Sequence, residues 1–200
     1  VFESVPGAFM TTWQTTTANE SILIPTNSSY TYFYTVDWGD GTKTTNRTGD
    51  VGHIYIKPGT YTVSITGTFP AITFVSSTSY AHKLIEILQW GDIQWQSMER
   101  AFYNCGNMTS EASDVPDLSQ VTSMDFMFNY ASGFNQDIST WNVSNVTSMA
   151  YMFSGATAFN QDLSSWDVSN VTSMANMFSG ATSFNGYIAT WNVSKATNMN

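Results

Sequence analysis

Apolar residues recur along this chain with two different periods, and the period changes near residue 76. In the first part they alternate with polar residues, as Tyr61, Val63 and Ile65 do. Alternation with a period of two predicts half-buried β-strands. A glycine-rich turn at 37–41 ends one such run, and several short strands at this spacing predict an antiparallel β-sandwich.

In the second part the apolar positions repeat every 25 residues. A fixed period of this length predicts stacked units of one supersecondary motif, a solenoid, in which neighbouring units cover each other's apolar faces. The residues that recur are Trp141, Trp166 and Trp191; Val146 and Val171; Met124, Met149, Met174 and Met199; and Phe134, Phe159 and Phe184.

One unit predicts a short strand followed by a short helical segment. Leu163, Trp166 and Val168 are spaced so that alternate side chains point inward from a strand. From Val171 to Ala181 the apolar steps are three and four residues, which is helical spacing. Strands of successive units would pair in parallel, about 4.8 Å apart. The chain is therefore predicted to be mainly β.

The predicted organisation is a sandwich at 1–76 followed by repeats at 77–200. The chain has no initiator Met and stops part-way through a repeat. We expect it to be a segment, truncated at its C-terminus, of a longer protein whose targeting and anchoring parts lie elsewhere.

The charge of the chain limits its partners. Only 10% of residues are charged and the net charge is -9. With no basic patch to neutralise phosphates, nucleic acid and anionic membrane surfaces are disfavoured as partners. No apolar stretch approaches the length of a membrane span. The single cysteine, Cys105, excludes an internal disulfide framework.

The first part resembles a known extracellular module. The text Val36-Asp-Trp-Gly-Asp-Gly-Thr42, followed by His53-Ile-Tyr-Ile-Lys-Pro-Gly-Thr-Tyr-Thr-Val63, resembles the polycystic-kidney-disease (PKD) domain. The second motif matches throughout, whereas Asp37-Trp38 departs from the aromatic pattern of the first. The resemblance implies an immunoglobulin-like sandwich that acts as a spacer or an interaction module.

The second part resembles the BspA-like subfamily of leucine-rich-repeat bacterial surface proteins. The resemblance rests on the text S-x-W-[DN]-V-S-N-V-T-x-M-x-x-M-F and on Met98-Glu-Arg-Ala-Phe-Tyr-Asn-Cys-Gly-Asn-Met108. It implies a leucine-rich-repeat-type solenoid, exposure at the cell surface, and adhesion without catalysis. It also places Cys105 at a small inward position, which predicts a buried packing thiol.

Polar residues between the inward positions of the predicted strand form three rows. They would face outward on a concave sheet that is rich in hydroxyls and amides and nearly uncharged. Such a surface can bind an extended glycan or a protein strand, although a plain solvated sheet face explains it equally well. The rows are Thr140, Ser165 and Thr190; Asn142, Asp167 and Asn192; and Ser144, Ser169 and Ser194.

Other side chains permit metal or ligand binding but have simpler structural explanations. Asp37 and Asp40 are candidate calcium ligands, because hard cations take carboxylate oxygens; Asp40 equally suits a turn cap. No other cofactor is indicated. The Met stripe and the Trp ladder are predicted to be core. Eight N-x-[ST] sequons occur, and the repeated ones fit asparagine ladders better than glycosylation.

The sequence favours a non-catalytic, secreted or surface-exposed module for adhesion or recognition, with an extracellular protein or glycan as its partner. The main alternative is a structural protein that self-assembles through unit ends or strand edges. An accessory region of an enzyme whose catalytic domain lies elsewhere is a third reading, and ice binding a remote fourth. The identity of the ligand is not encoded in any motif.

Overall fold

The computed structural model describes residues 4–75 and 78–199. The protein is mainly β, as the alternation predicts, with one four-residue helix in the described part. The elements are β1 (Phe9–Thr15), β2 (Glu20–Ile24), β3 (Phe33–Asp37), β4 (Lys43–Arg47), β5 (Val51–Tyr55), β6 (Gly59–Thr68), α1 (Thr78–Ala81), β7 (Leu84–Gln89) and β8 (Thr109–Ser110).

The strands form two sheets. A six-stranded sheet has the order β4-β3-β6-β1-β7-β8, and a two-stranded sheet pairs β2 with β5. All pairings are antiparallel except that of β7 with β8. In β6, Val63 and Ile65 are buried and Tyr61 is half-buried, which confirms the predicted inward face. Gly39 and Gly41 both have positive φ in the turn after β3, as the predicted turn requires.

The large sheet extends past the predicted division at residue 76. β7 pairs with β1, so a strand from the second part of the chain lies beside the first strand of the sandwich. A salt bridge of 2.8 Å between Lys83 and Glu20 adds a polar contact across the same division. Phe9 and Trp95 pack edge to face at 5.1 Å within one continuous apolar cluster. The boundaries 1–76 and 77–200 stay a prediction.

Residues 25 positions apart contact each other throughout the second part. Parallel bridges join Ser123 to Ser148, Ser148 to Ser173, and Ser173 to Asn198. The rings of Phe128, Phe153 and Phe178 stack in a column with centroids 5.7 Å apart at each step. Each repeat unit therefore lies in register on the one before it. The inward set is as predicted, with Leu163, Trp166, Val168, Val171 and Met177 among the buried residues.

Two predicted elements of the unit are wrong. No strand forms at 163–168 or at its equivalents. The parallel bridges lie instead at Ser148 and Ser173, inside the segment predicted to be helical. That segment contains no helix. The N–H groups of Tyr151 and Phe153 donate to the following unit, while those of Met152 and Ser154 donate three residues back. This alternation forms successive turns, because Tyr151 has a positive φ of 57°.

Candidate recognition surfaces

The predicted polar rows lie outward, but in turns and not on a strand. The Oδ1 of Asn142 accepts bonds from the N–H of Ser144 at 3.2 Å and from its hydroxyl at 2.7 Å. Asp167 and Asn192 accept the N–H two residues on in the same way, at 3.0 and 3.2 Å. Side chains of this type cap turns by binding local backbone. Exposed among the nine are Thr140, Asn142, Ser165, Asp167, Thr190, Asn192 and Ser194, while Ser144 and Ser169 are half-buried.

Hydroxyls in these rows also tie neighbouring units together. Ser165 donates to the carbonyl of Ser139 at 2.6 Å, and Thr190 donates to that of Ser164 at 2.9 Å. The hydroxyl and the N–H of Ser169, with a smaller contribution from the Lys195 charge, hold the pKa of Asp167 below its usual range. Much of the bonding capacity of the rows is therefore used inside the protein. Their role in binding a ligand stays a prediction.

Two asparagine ladders run along the units, and one of them is formed by the repeated sequon asparagines, as the sequence predicts. The Oδ1 of Asn135 accepts the N–H of Asn160 at 2.8 Å, and Asn160 accepts that of Asn185 at 2.7 Å. In a second ladder the amides of Asn145 and Asn170 donate to carbonyls of the preceding unit, each at 2.8 Å. Each of these two sequon asparagines thus donates an amide proton to a hydrogen bond between units.

The candidate calcium ligands are engaged by protein donors. Asp37 accepts the N–H of Gly39 at 3.1 Å and pairs with Lys43 at 3.0 Å. Asp40 accepts the N–H and the hydroxyl of Thr42 at 3.0 and 2.6 Å, and its other oxygen lies 2.8 Å from Nε2 of His53. Across residues 4–75 and 78–199, no cluster of three or more His, Cys, Asp or Glu side chains suits a metal ion.

His53 and Asp40 form a small polar cluster on the sandwich. The imidazole stacks on Trp38 at 4.8 Å and meets the edge of Tyr55 at 4.6 Å. Burial raises the pKa of Asp40, but hydrogen bonds from Thr42 and His53 outweigh burial and leave that pKa below its usual range. The cluster therefore fixes the turn after β3 to the neighbouring β5.

Most of the residues predicted to be core are buried, whereas Trp191 is half-buried and Met199 is 59% exposed. Cys105 is fully enclosed, and burial raises the pKa of its thiol well above the ordinary value. Trp141 and Trp166 are only 5% and 3% exposed. Trp166 and Trp191 lie parallel with centroids 6.4 Å apart. Trp141 and Trp166 are enclosed in the core and offer no stacking platform, whereas Trp191 is half-buried.

A partly exposed aromatic surface was not found from the sequence. The aromatic strip, as we name it, consists of Tyr103, Phe126 and Tyr151, which contact one another across consecutive units, together with Tyr130, which lies four residues after Phe126 in the same unit. Phe126 and Tyr151 stack with centroids 4.8 Å apart and planes 3° apart, and Tyr103 meets the edge of Phe126 at 6.5 Å. The guanidinium carbon of Arg100 lies 4.8 Å from the centre of the Phe126 ring. An aligned comparison of the units reveals the strip, since Tyr151 and Tyr130 stand where later units have Asn176 and Gly155.

A cavity of about 700 Å³ lies at the face of the last described unit. Its lining includes Met174, Phe178, Ile188, Trp191 and Met199. The equivalents of Phe178 and Trp191 in earlier units, Phe153 and Trp166, are buried under the next unit. The cavity therefore lies on the face that, in earlier units, packs against the following unit.

In the described part of the chain, no helix is long and apolar enough to cross a membrane. A family model described as "Mycoplasma protein of unknown function, DUF285" matches residues 96–200, just over half of the chain. No curated protein and no solved structure matches the chain.

Proposed function

Since the chain belongs to the DUF285 family, described as Mycoplasma protein of unknown function, we propose a function from its geometry. The protein is a non-catalytic module for recognition or adhesion. It acts outside the cell, at the cell surface, and binds a glycan or a protein on its repeat units.

The observation that carries this proposal is the regular outer surface. Exposed side chains recur at one-unit intervals, and hydrogen bonds between units hold them in place, as with Thr147 and Thr172. A rigid surface of this kind loses little conformational freedom when it binds an extended ligand. Low charge leaves hydroxyl, amide and aromatic groups to provide the specificity.

The type of module that each part of the chain forms is also proposed. We assign 1–76 to a PKD-like, immunoglobulin-like sandwich and 77–200 to a BspA-like solenoid whose units consist of turns and isolated bridges. Support for the first comes from the glycine turn after β3 and the His53 cluster, which carry the motif residues. Support for the second comes from the parallel bridges between units.

We propose that the module is not catalytic, because two side chains that could react, His53 and Cys105, are engaged or enclosed. His53 is held between Asp40 and the ring of Trp38. The thiol of Cys105 is enclosed and its raised pKa keeps it protonated at neutral pH. Neither group is placed to attack a bound molecule.

A binding screen tests the proposal. The chain is presented to panels of glycans and extracellular-matrix proteins, with and without calcium, beside a variant carrying Asn142→Lys, Asp167→Lys and Asn192→Lys. We expect binding by the wild type, and a loss in the variant if the ligand uses the predicted polar rows. Binding that requires calcium and is lost in Asp40→Asn assigns a calcium role to Asp37 and Asp40. No binding to either panel contradicts the proposal.

Self-assembly through unit ends or strand edges is the alternative function that we propose. Sedimentation velocity over a hundredfold concentration range separates the two functions. Growth of the sedimentation coefficient with concentration favours assembly, whereas a constant value favours recognition by the monomer.

A further inference from the structure

Tyr130 stands at a position where the next two units have glycine and the preceding unit has Asn104. Its φ is 56°, and the equivalent residues in the next two units, Gly155 and Gly180, both have a φ of 72°. Glycine adopts this left-handed conformation freely, whereas a tyrosine does so at a cost. The side chain is also 56% exposed, so burial does not offset that conformational cost. The turns of these units also hold Arg100, Phe126 and Tyr151 at positive φ, so the feature particular to Tyr130 is a large ring that stays exposed where the next two units have no side chain.

The ring of Tyr130 is nevertheless held in place. It lies against Gly155 of the next unit, where a Cβ would come within 2.5 Å of its Cδ1 atom. Because Gly155 has no side chain, the ring of Tyr130 can pack against its backbone. This contact limits the motion of the ring before any ligand arrives, so less conformational entropy is lost on binding.

Two other members of the strip, Phe126 and Tyr151, are also in contact. They form a column with Arg100 in which each group lies 4.8 Å from the next. Phe126 lies four residues before Tyr130 and shares its positive φ. Tyr103, Tyr130 and Tyr151 have no hydrogen-bond partner for their hydroxyls among the described residues. The strip thus combines fixed aromatic rings with free donors and acceptors.

We propose that the aromatic strip binds neutral carbohydrate, with Tyr130 as the stacking residue. The proposal rests on the recognition function and names its site and its ligand class. Pyranose rings present apolar C–H groups on one face and hydroxyls at the rim, which match an aromatic face and phenolic hydroxyls.

Size and charge favour a sugar over other ligands. The strip covers three units, roughly 10 Å along the stack at about 4.8 Å per unit. That length fits a short stretch of sugar residues. A standard protein interface buries roughly 800 Å² on each partner, which a strip of four side chains does not provide. Nucleic acid is disfavoured because Arg100, the cation of the column, is paired with Glu99 at 2.9 Å.

The test is affinity electrophoresis of the whole chain through native gels containing hydroxyethyl cellulose, laminarin or galactomannan. Retardation in at least one gel is expected. Tyr130→Gly copies the residue of the following units and removes the backbone strain, so it should fold at least as well and bind roughly tenfold more weakly. Tyr151→Asn, which copies Asn176, should also weaken binding. Tyr187→Asp removes another exposed tyrosine but copies Asp137 and Asp162, and should leave binding unchanged.

The outcomes separate this inference from the proposed function. Equal retardation of wild type and Tyr130→Gly overturns the strip as the site but leaves a glycan-recognition function. Binding to matrix proteins without retardation by any of the three polysaccharides overturns the carbohydrate assignment alone. A chain that binds neither the polysaccharides nor the matrix panel contradicts both.

Discussion

The indole N–H of Trp166 donates to the carbonyl of Ile138, 28 residues earlier, at a distance of 3.0 Å. The same carbonyl accepts the N–H of Trp141 at 3.1 Å, so one acceptor closes a turn in its own unit and anchors the next unit. Trp191 repeats the bond with the carbonyl of Leu163 at 2.8 Å. The recurring tryptophan therefore joins units by a hydrogen bond as well as by packing.

Trp166→Phe should lower the free energy of unfolding by about 1 to 2 kcal/mol, from a lost buried hydrogen bond and a smaller ring in the core. Urea denaturation followed by circular dichroism measures the change. Trp191→Phe is the control, because the same bond there is only half-buried. An equal loss in both variants contradicts the dependence on burial.

Gly155→Ala and Gly180→Ala should differ in cost although their φ angles are the same. An alanine in the left-handed region lowers the free energy of unfolding by about 1 kcal/mol at each position. At 155 the new methyl group also displaces the ring of Tyr130, whereas at 180 the nearest contact is 3.6 Å. The excess at 155 should vanish in a Tyr130→Gly background, as a thermal-unfolding double-mutant cycle can show. If Gly155→Ala remains more destabilising than Gly180→Ala in this background, contact with the ring of Tyr130 is not the cause.

The stability of the fold should depend on Glu20 at low pH. A hydrogen bond from Lys83, with further bonds from the N–H groups of Thr16 and Thr17, lowers the pKa of Glu20 from 4.5 to about 2. A lowered folded-state pKa contributes stability above the unfolded-state pKa, and this contribution is lost as pH falls from 4.5 through 2.

Glu20→Gln removes that contribution. Melting temperatures measured from pH 7 to pH 2 should show the variant below the wild type at neutral pH, with the gap closing towards pH 2. A gap that is constant across this range contradicts the assignment.

Cys105 should resist modification in the folded protein. The thiol is fully buried and its pKa is raised, so little thiolate reaches solvent. Labelling with iodoacetamide at pH 8, followed by mass spectrometry, should show no adduct in buffer and full reaction in 6 M guanidinium chloride. Rapid labelling in buffer would show that the first repeat unit opens.

The repeat period predicted much of the arrangement of the second part. Inward positions such as Val168 and Met177 follow from it, because residues that recur every 25 positions must meet their equivalents in a stack. The turns at 149–156 could not be predicted in the same way. Steps of three and four apolar residues arise from a helix and equally from two successive turns. The difference lies in the positive φ of Tyr151, which apolar spacing does not encode.

The candidate site was predicted only in part. Asn142 and Asp167 were placed outward correctly, because they flank the inward Val143 and Val168. Their bonds within turns were not foreseen, since a polar pattern does not distinguish a free amide from one that caps its own backbone. Phe126 was missed because an aromatic residue next to buried methionines has the sequence signature of core.

Hydrogen–deuterium exchange of the chain with the strongest binder from the glycan and matrix-protein panels tests the central claim most directly. The account predicts that the ligand slows exchange within residues 96–199, where the aromatic strip and the polar rows lie, and leaves β2 and β5 unchanged. Protection confined to residues 4–75, or a panel without any binder, would contradict recognition by the repeat units.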